Sequence, residues 1–284
     1  ESARRSNMKL YGFHQDTTPV ESLLAKDSLI FSNAIAPASA TVLSVPMILS
    51  KADPDHFTTD KLADNIVSVA KKTGYHTEWI SAQGNTGKSN NYIVAIASIS
   101  HKAQWIETRY DTELLPALDE ALKAPGRKLI FLHINGSHEM ACDRYPPSAN
   151  ILHTGNKYED CYNNAILFTD YFIGEVAKRL QGSASSLLYF SDHGLEKNPQ
   201  LNSIYMHGSR NPSKEAYQVP QFIWYSQQAL NTQKRSVGWV HEAWPTASNY
   251  ELMLTWLGIT TGVDQCSSVL EACYQAPTLI PVID

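Results

Sequence analysis

One apolar segment of the chain runs directly into an acid, an imidazole and a glycine. Residues 189–194 read YFSDHG, so Asp192 and His193 follow a run typical of a buried strand, and Gly194 permits a sharp exit from it. A carboxylate oxygen beside an imidazole nitrogen suits a divalent cation such as zinc. The alternative is a hydrogen-bonded Asp/His turn, because two ligands alone do not make a metal site.

A second candidate for a catalytic role is a hydroxyl group. Thr41 ends the run APASAT at residues 36–41, where a helix is predicted to begin. Free backbone N–H groups at a helix N-terminus can bind phosphoryl oxygens, which favours a hydroxyl that attacks phosphorus. Judged by position alone, an N-cap is the commoner role for such a threonine.

Further histidines occur near a strand end and in an irregular segment. Residues 131–138 read FLHINGSH, in which His133 lies within the predicted strand and is interpreted as structural. His138 lies beyond the glycine turn and could reach a ligand. His207 lies in the segment 196–220, the longest without clear periodicity, and long irregular segments are often functional.

Short apolar runs alternate with amphipathic helical patterns, and these elements must position the candidate residues. Strands are predicted at 77–81, 128–134, 186–191 and 221–225, and helices at 59–73, 113–123, 162–180 and 248–257. The alternation predicts one α/β domain over residues 1–284, with a mainly parallel central sheet flanked by helices on both faces. In such a sheet the ligand site lies outside the carboxyl ends of the strands.

Composition narrows the class of protein. The chain has 284 residues and is 43% hydrophobic, so it can bury a large core and is not a disordered chain. It carries 23 Lys and Arg against 28 Asp and Glu, without a basic run, so nucleic acid is not an expected partner. Its apolar runs are shorter than the roughly 20 residues that span a bilayer.

The four cysteines form two pairs that are close in sequence. Local pairing joins Cys142 to Cys161 and Cys266 to Cys273, although four cysteines allow three connectivities. Two such disulfides favour an oxidising compartment, and the alternative is four reduced, partly buried thiols.

Several spaced motifs resemble one enzyme family. The opening ESARR at 1–5, LYGF at 10–13 and DTTP at 16–19 are similar to the signature of the phosphoethanolamine transferases, in the alkaline phosphatase and sulfatase superfamily. The resemblance continues in order over nearly the whole chain, through SAT at 39–41, SVP at 44–46, GSH at 136–138, RYP at 144–146, TD at 169–170, SDHG at 191–194 and HG at 207–208.

This resemblance implies a zinc centre with a nucleophile. It places Glu1, Thr41, Asp192 and His193 around one zinc ion, with room in the family for a second ion. Thr41 would be both ligand and nucleophile, since an alcohol needs a metal or a base to act as its alkoxide.

The resemblance also assigns substrate-side residues. His138 and His207 match histidines that hold the transferred phosphate, protonate a leaving group or help to bind a second zinc. Lys88, in GNTGK at 84–88, falls near a substrate-side lysine whose ammonium could offset phosphate charge. A solvated loop lysine is the alternative for Lys88.

The family further implies where the protein works and on what. The donor would be phosphatidylethanolamine, and the acceptor lipid A, a lipopolysaccharide core sugar, a periplasmic glucan or a protein. The chain would be a monomeric periplasmic domain, tethered to the inner membrane by a membrane-spanning N-terminal domain absent from it. Relatives carry an apolar strand before the glutamate, so a chain starting at Glu1 is expected to leave that residue on a fraying end.

Other functions would require different residues or metal sites. A sulfatase needs Cys or Ser in a C/S-x-P-x-R context, and here Ile48 stands at the arginine position after Ser44. An alkaline-phosphatase-like hydrolase needs two well-formed metal sites about 4 Å apart. A phosphoglycerol transferase and a non-catalytic periplasmic domain that binds glycan or lipid both stay open, and metal content separates the latter from an enzyme.

Overall fold

The computed structural model describes residues 1–86, 91–198, 205–233, 235–259 and 279–280. Its helices are α1 Pro19–Leu24, α2 Thr41–Leu49, α3 Thr59–Ala63, α4 Ile66–Lys72, α5 Asn91–Ala97, α6 Leu115–Leu122, α7 Lys157–Leu180, α8 Gln227–Thr232 and α9 Asn249–Trp256. Its strands are β1 Ser28–Ile35, β2 His76–Ser81, β3 Lys102–Trp105, β4 Lys128–His133, β5 Ser186–Phe190, β6 Glu196–Lys197, β7 Tyr205–Met206, β8 Gln218–Tyr225, β9 Gly238–Val240, β10 Trp244–Pro245 and β11 Leu279–Ile280.

The main strands form two sheets. The larger has the order β11-β9-β1-β8-β5, with β10 paired to β1, and the smaller has the order β3-β2-β4. The smaller sheet is wholly parallel. In the larger one, β8 runs antiparallel to both β1 and β5. The α/β fold is therefore confirmed, and β8 makes the larger sheet mixed.

Helices cover both faces of the smaller sheet, as two successive side chains of β2 show. Trp79 belongs to an apolar cluster that includes residues of α2, α4, α5 and α9. The next residue, Ile80, belongs to a cluster on the opposite face with residues of α6 and α7. Successive side chains of a strand point to opposite faces, so Trp79 and Ile80 pack against helices on opposite sides of this sheet.

The two sheets do not pair with each other in the described part of the chain. Their edge strands β4 and β5 face each other across a cavity of about 1300 Å³, lined among others by Phe131, Leu188 and Glu1. The segments that follow β4 and β5 carry His138, Asp192 and His193.

The predicted strands are confirmed as β2, β4, β5 and β8, whereas one predicted helix was wrong. The segment 59–73 is two helices, because the chain breaks at Asp64 and Asn65. Asn65 accepts a hydrogen bond from the Ser68 N–H at 3.0 Å and so caps α4. Asn65 also bridges to Ser50, which a continuous helix would prevent.

The other predicted helices are present with shifted ends. The one at 162–180 begins earlier, at Lys157, because the Asn156 side chain caps its first turn. The one at 113–123 begins as a 3-10 turn at Asp111 and continues as α6. The one at 248–257 corresponds to α9.

One of the two predicted disulfides is present. Cys142 and Cys161 are joined with a Cα–Cα distance of 4.7 Å, which ties the loop after β4 to α7. Cys266 and Cys273 lie outside the described residues. In the described ranges, no helix combines the length and apolarity that a bilayer crossing requires.

Candidate active site

The site forms where the chain leaves β4 and β5. Asp192 and His193 directly follow β5, and the backbone oxygen of Glu1 accepts a hydrogen bond from the Ser137 N–H at 3.1 Å, just after β4. Gly136 has a φ of 54°, and a Cβ there would stand 2.7 Å from the Glu1 backbone oxygen. Glycine therefore permits the close approach of these two segments.

Glu1 is not on a fraying end, so that expectation was wrong. The residue is only 7% exposed. The segment that follows is held by Tyr162 of α7, whose hydroxyl accepts from the Arg4 N–H at 2.8 Å and donates to the Ser2 backbone oxygen at 2.7 Å. Contacts with residues far along the chain fix Glu1, and local sequence does not reveal them.

Three of the predicted ligands converge. One ligand atom each of Glu1, Asp192 and His193 lies within 4.8 Å of the others, and all three residues are buried. His193 Nε2 lies 3.2 Å from Glu1 Oε1 and 3.6 Å from Asp192 Oδ2. Among the described residues this is the group whose geometry suits a metal ion.

Thr41 completes the cluster from the start of α2. Its Oγ1 lies 3.0 Å from Glu1 Oε2 and 3.1 Å from His193 Nε2. Thr41 is the first residue of the helix and Ala40 occupies the N-cap, so the N-cap interpretation of Thr41 does not apply. The hydroxyl thus faces the ligand cluster at a helix N-terminus, where unpaired N–H groups collect.

The donor set fits a metal ion. The buried Asp192 Oδ2 has no hydrogen-bond partner within the described part of the chain. A buried carboxylate oxygen without a partner is costly unless a cation or donor meets it. Two carboxylates and one imidazole therefore converge here, and the Thr41 hydroxyl joins them through Glu1 and His193, a donor set that suits a cation.

The pKa values of the cluster also favour a bound cation. Burial acts to lower the pKa of His193, but the Asp192 charge and the hydrogen bond with Glu1 prevail and raise it to about 9. Burial acts to raise the pKa of Glu1, but the hydrogen bond and charge of His193 hold it well below its ordinary value. A proton on His193 offsets the carboxylates here, and a metal ion would take its place.

Both loop histidines extend from this cluster. The His207 ring stacks on His193 at 5.0 Å between centroids, and the His138 ring lies 5.0 Å from His207. Burial is the largest cause that lowers the pKa of His138. The structure brings six of the seven predicted site residues together, and Lys88 lies outside the described residues.

Sequence analysis missed three residues that support the candidate site. Gln83, two residues beyond β2, donates to Glu1 Oε2 at 3.1 Å. Glu139 Oε1 accepts from the His207 N–H at 3.0 Å and lies 2.8 Å from its Nδ1. Asp111 accepts from two N–H groups of the turn after β4, both at 2.8 Å. The strand-end rule could have found Gln83, but no local signal marks the other two.

His133 has the structural role that was predicted. Its Nδ1 lies 3.0 Å from Ser81 Oγ on the neighbouring strand. Burial lowers its pKa to about 4, so the imidazole is neutral. This ring packs within the sheet and is not part of the ligand cluster.

Known proteins resemble this chain over most of its length. The sulfatase family profile matches residues 1–263. YhbX of Escherichia coli K12, which carries the name of a transferase without a named substrate, is 36% identical over 262 residues, covering 92% of this chain and 48% of YhbX. The phosphoethanolamine transferase OpgE of Escherichia coli K12 is 31% identical over 235 residues, covering 78% of this chain and 43% of OpgE. The chain spans about half the length of these curated relatives.

A solved structure shares the fold. The C-terminal periplasmic domain of EptC from Escherichia coli, in complex with zinc, matches with a TM-score of 0.82 at 23% identity, covering 99% of this chain and 85% of that domain. At this identity the likeness concerns the fold alone.

Proposed function

The chain belongs to the sulfatase family, and from this premise we propose that it is the catalytic domain of a zinc-dependent phosphoethanolamine transferase with Thr41 as nucleophile. The observation that carries the proposal is the position of Thr41 Oγ1, 3.0 Å from Glu1 Oε2 and 3.1 Å from His193 Nε2. The name of the relative OpgE supports phosphoethanolamine as the transferred group.

Zinc is the metal that we assign to the centre. Glu1, Asp192, His193 and Thr41 offer three oxygens and one nitrogen, which suits tetrahedral zinc, and the EptC domain with the same fold binds zinc. When bound, zinc would favour the alkoxide form of an alcohol and offset charge on phosphoryl oxygens. One ion uses this donor set, which leaves the two loop histidines for the substrate or a second ion.

The chain's own side chains supply the other parts of the reaction. The Thr41 hydroxyl donates to Glu1 Oε2, which orients Oγ1, and the hydroxyl proton passes to the departing glycerol oxygen as the reaction proceeds. Oγ1 attacks the phosphorus of phosphatidylethanolamine, the P–O bond to the glycerol breaks, and diacylglycerol leaves. An acceptor hydroxyl or phosphate then attacks the phosphorus from the opposite side, the bond between phosphorus and Oγ1 breaks, and Oγ1 regains a proton from the acceptor hydroxyl or, for a phosphate acceptor, from water.

His138 and His207 lie on the side from which a substrate can be held. Their rings follow one another outward from His193, at 5.0 Å steps between centroids. We assign them to the transferred phosphate or to protonation of the departing glycerol oxygen. We also propose that Lys88 offsets phosphate charge.

The proposed setting is the periplasmic face of the bacterial inner membrane. The relatives are about twice as long as this chain, which leaves room for a membrane-embedded part. The disulfide between Cys142 and Cys161 suits an oxidising compartment. Lipopolysaccharide or a periplasmic glucan would be the acceptor.

Intact-protein mass spectrometry tests the nucleophile. Zinc-loaded chain is incubated with phosphatidylethanolamine or, in a second arm, phosphatidylglycerol. We expect a phosphoethanolamine adduct with the first lipid, none in Thr41→Ala and a slower one in Thr41→Ser. Thr59→Ala, at the exposed start of α3, is the matched control. An adduct on Thr41→Ala refutes the assignment, and a glycerophosphate adduct alone indicates a phosphoglycerol transferase.

A further inference from the structure

Arg144 lies beside His138 in the segment that follows β4. Its Nη2 lies 3.3 Å from His138 Nδ1, and its Nη2 and Nε both donate to the Glu139 backbone oxygen, at 2.9 and 3.2 Å. In the described ranges, the contact with Arg144 is the one hydrogen bond of the His138 ring. The two half-buried side chains therefore meet through a single ring nitrogen.

The guanidinium decides which ring nitrogen of His138 carries the hydrogen. An arginine side chain has N–H donors and no acceptor, so His138 Nδ1 must accept this hydrogen bond and has no hydrogen of its own. A neutral imidazole carries its hydrogen on one nitrogen only, which is then Nε2. The lone pair of Nδ1 faces Arg144 and is not available to a metal ion.

The surroundings of His138 favour a neutral ring. Burial is the largest cause that lowers its pKa. The Glu1 charge acts to raise this pKa, and the charges of His207 and Arg144 act to lower it further. A hydrogen on Nδ1 would also bring two donors face to face. His138 therefore offers a neutral Nε2–H group instead of an imidazolium.

The fold holds Arg144 in place before a substrate binds. Cys142, two residues earlier, is joined by its disulfide to Cys161 of α7. Tyr145, the next residue, is 5% exposed and packs in an apolar cluster with residues of α7. A side chain that is ordered in advance orients its partner without a further entropic cost on binding.

A neutral Nε2–H group suits one of the roles considered for His138. It can donate a hydrogen bond to a phosphoryl oxygen and stabilise the charge that develops there, while keeping its own hydrogen. It has no lone pair for a second metal ion, and a neutral imidazole is too weak an acid to protonate a leaving group well. The ring lies 5.0 Å from that of His207, which stacks on His193 of the ligand cluster.

We propose that Arg144 is a positioning residue that holds His138 as its Nε2–H tautomer, and that this N–H donates to a phosphoryl oxygen of the transferred group. The inference rests on the proposed function, because that function brings a phosphoryl group to the site. The tautomer exists without substrate, so the two can be tested apart.

Nitrogen NMR of isotope-labelled histidine in the zinc-loaded chain tests the tautomer, at a pH of about 8, above the ordinary pKa of histidine. His138→Gln identifies the signals of His138. We expect Nε2–H in the original chain and in Arg144→Lys, whose ammonium is again only a donor. We expect a change to Nδ1–H in Arg144→Glu, whose carboxylate only accepts.

Arg127→Glu is the matched control for this charge reversal. Arg127 also donates to a backbone oxygen, that of Thr73 at 3.3 Å, and lies just before β4, at the end of the strand away from the site. This variant should keep the Nε2–H tautomer of His138.

A pair of substitutions at His138 tests what the N–H does. His138→Gln keeps an N–H donor, whereas His138→Glu can only accept, and a metal ligand would be replaced better by the carboxylate. With phosphatidylethanolamine, we expect the Thr41 adduct to form about 10²-fold more slowly in His138→Glu and less than about tenfold more slowly in His138→Gln. Arg144→Glu should slow the adduct more than Arg144→Lys does.

Nδ1–H or an imidazolium at His138 in the original chain would overturn the inference, and so would an unchanged tautomer in Arg144→Glu. Equal rates in the two His138 variants, or a faster rate in His138→Glu, would overturn the hydrogen bond to the phosphoryl group. The expected tautomers in a chain that forms no adduct would reject the proposed function and leave the role of Arg144 standing.

Discussion

Asp192→Asn is the change that most directly tests whether the clustered ligands hold a cation. Asp192 is 4% exposed, and its Oδ2 lacks a hydrogen-bond partner in the described part of the chain while lying 3.6 Å from His193 Nε2. Asparagine keeps the shape of the side chain but replaces an anionic donor by a neutral amide. The change therefore removes charge with little change of volume.

The expected effect on zinc affinity is large. Two unit charges 4 Å apart interact by about 4 kcal/mol at an effective dielectric constant of about 20. Since about 1.4 kcal/mol corresponds to a factor of ten, the loss of one ligand charge should weaken zinc binding by about 10³-fold. The thermal stabilisation that zinc gives should fall in parallel, by about 1.4 kcal/mol for each tenfold loss when zinc is well above its dissociation constant.

The assay is competition between the apo chain and a chromophoric zinc chelator, together with melting curves with and without zinc. Asp55→Asn, the same substitution at an exposed site, should bind zinc like the original chain. An Asp192→Asn chain that binds zinc within about threefold of the original, or forms the Thr41 adduct at the original rate, would refute the assignment of Asp192 as a ligand.

Three more predictions concern groups that support the site or the fold. Glu139→Ala should lower kcat more than it raises the KM for donor, because Glu139 Oε1 accepts from the His207 N–H and lies 2.8 Å from its Nδ1; equal steady-state kinetics would contradict this. Burial raises the pKa of Asp170 to about 7 and that of Glu21 well above its ordinary value, the Asp170 charge adding to the latter. Both groups therefore stabilise the fold fully below their unfolded pKa of about 4, and this contribution is lost as the pH rises towards 7. The free energy of unfolding, measured with urea, should fall over that pH range. Glu21→Gln should make the fall smaller. Tyr162→Phe removes two buried hydrogen bonds to the segment after Glu1 and should cost about 1–3 kcal/mol in the same assay; a smaller loss would contradict their role.

Local patterns in the sequence predict much of the fold. Strands β4, β5 and β8 are recognisable because each contains a continuous apolar run, whereas β2 has only Trp79 and Ile80 between polar residues. The other strands were missed, β1 and β3 among them. The register of β1 depends on pairing with β8, β9 and β10, which lie far along the chain, and β3 is short and only partly buried.

The sequence by itself identified the candidate site residues: the residue types at strand ends and at the start of α2, together with the family resemblance, supplied the acid, imidazole and hydroxyl groups. Tertiary structure alone decided that these groups meet, that Glu1 is buried, that Gln83 contacts Glu1 and that Glu139 contacts His207. The physical reason is that such contacts join residues 40 to 190 positions apart. Strand order and long-range hydrogen bonds set those contacts, and neither is written in any local pattern.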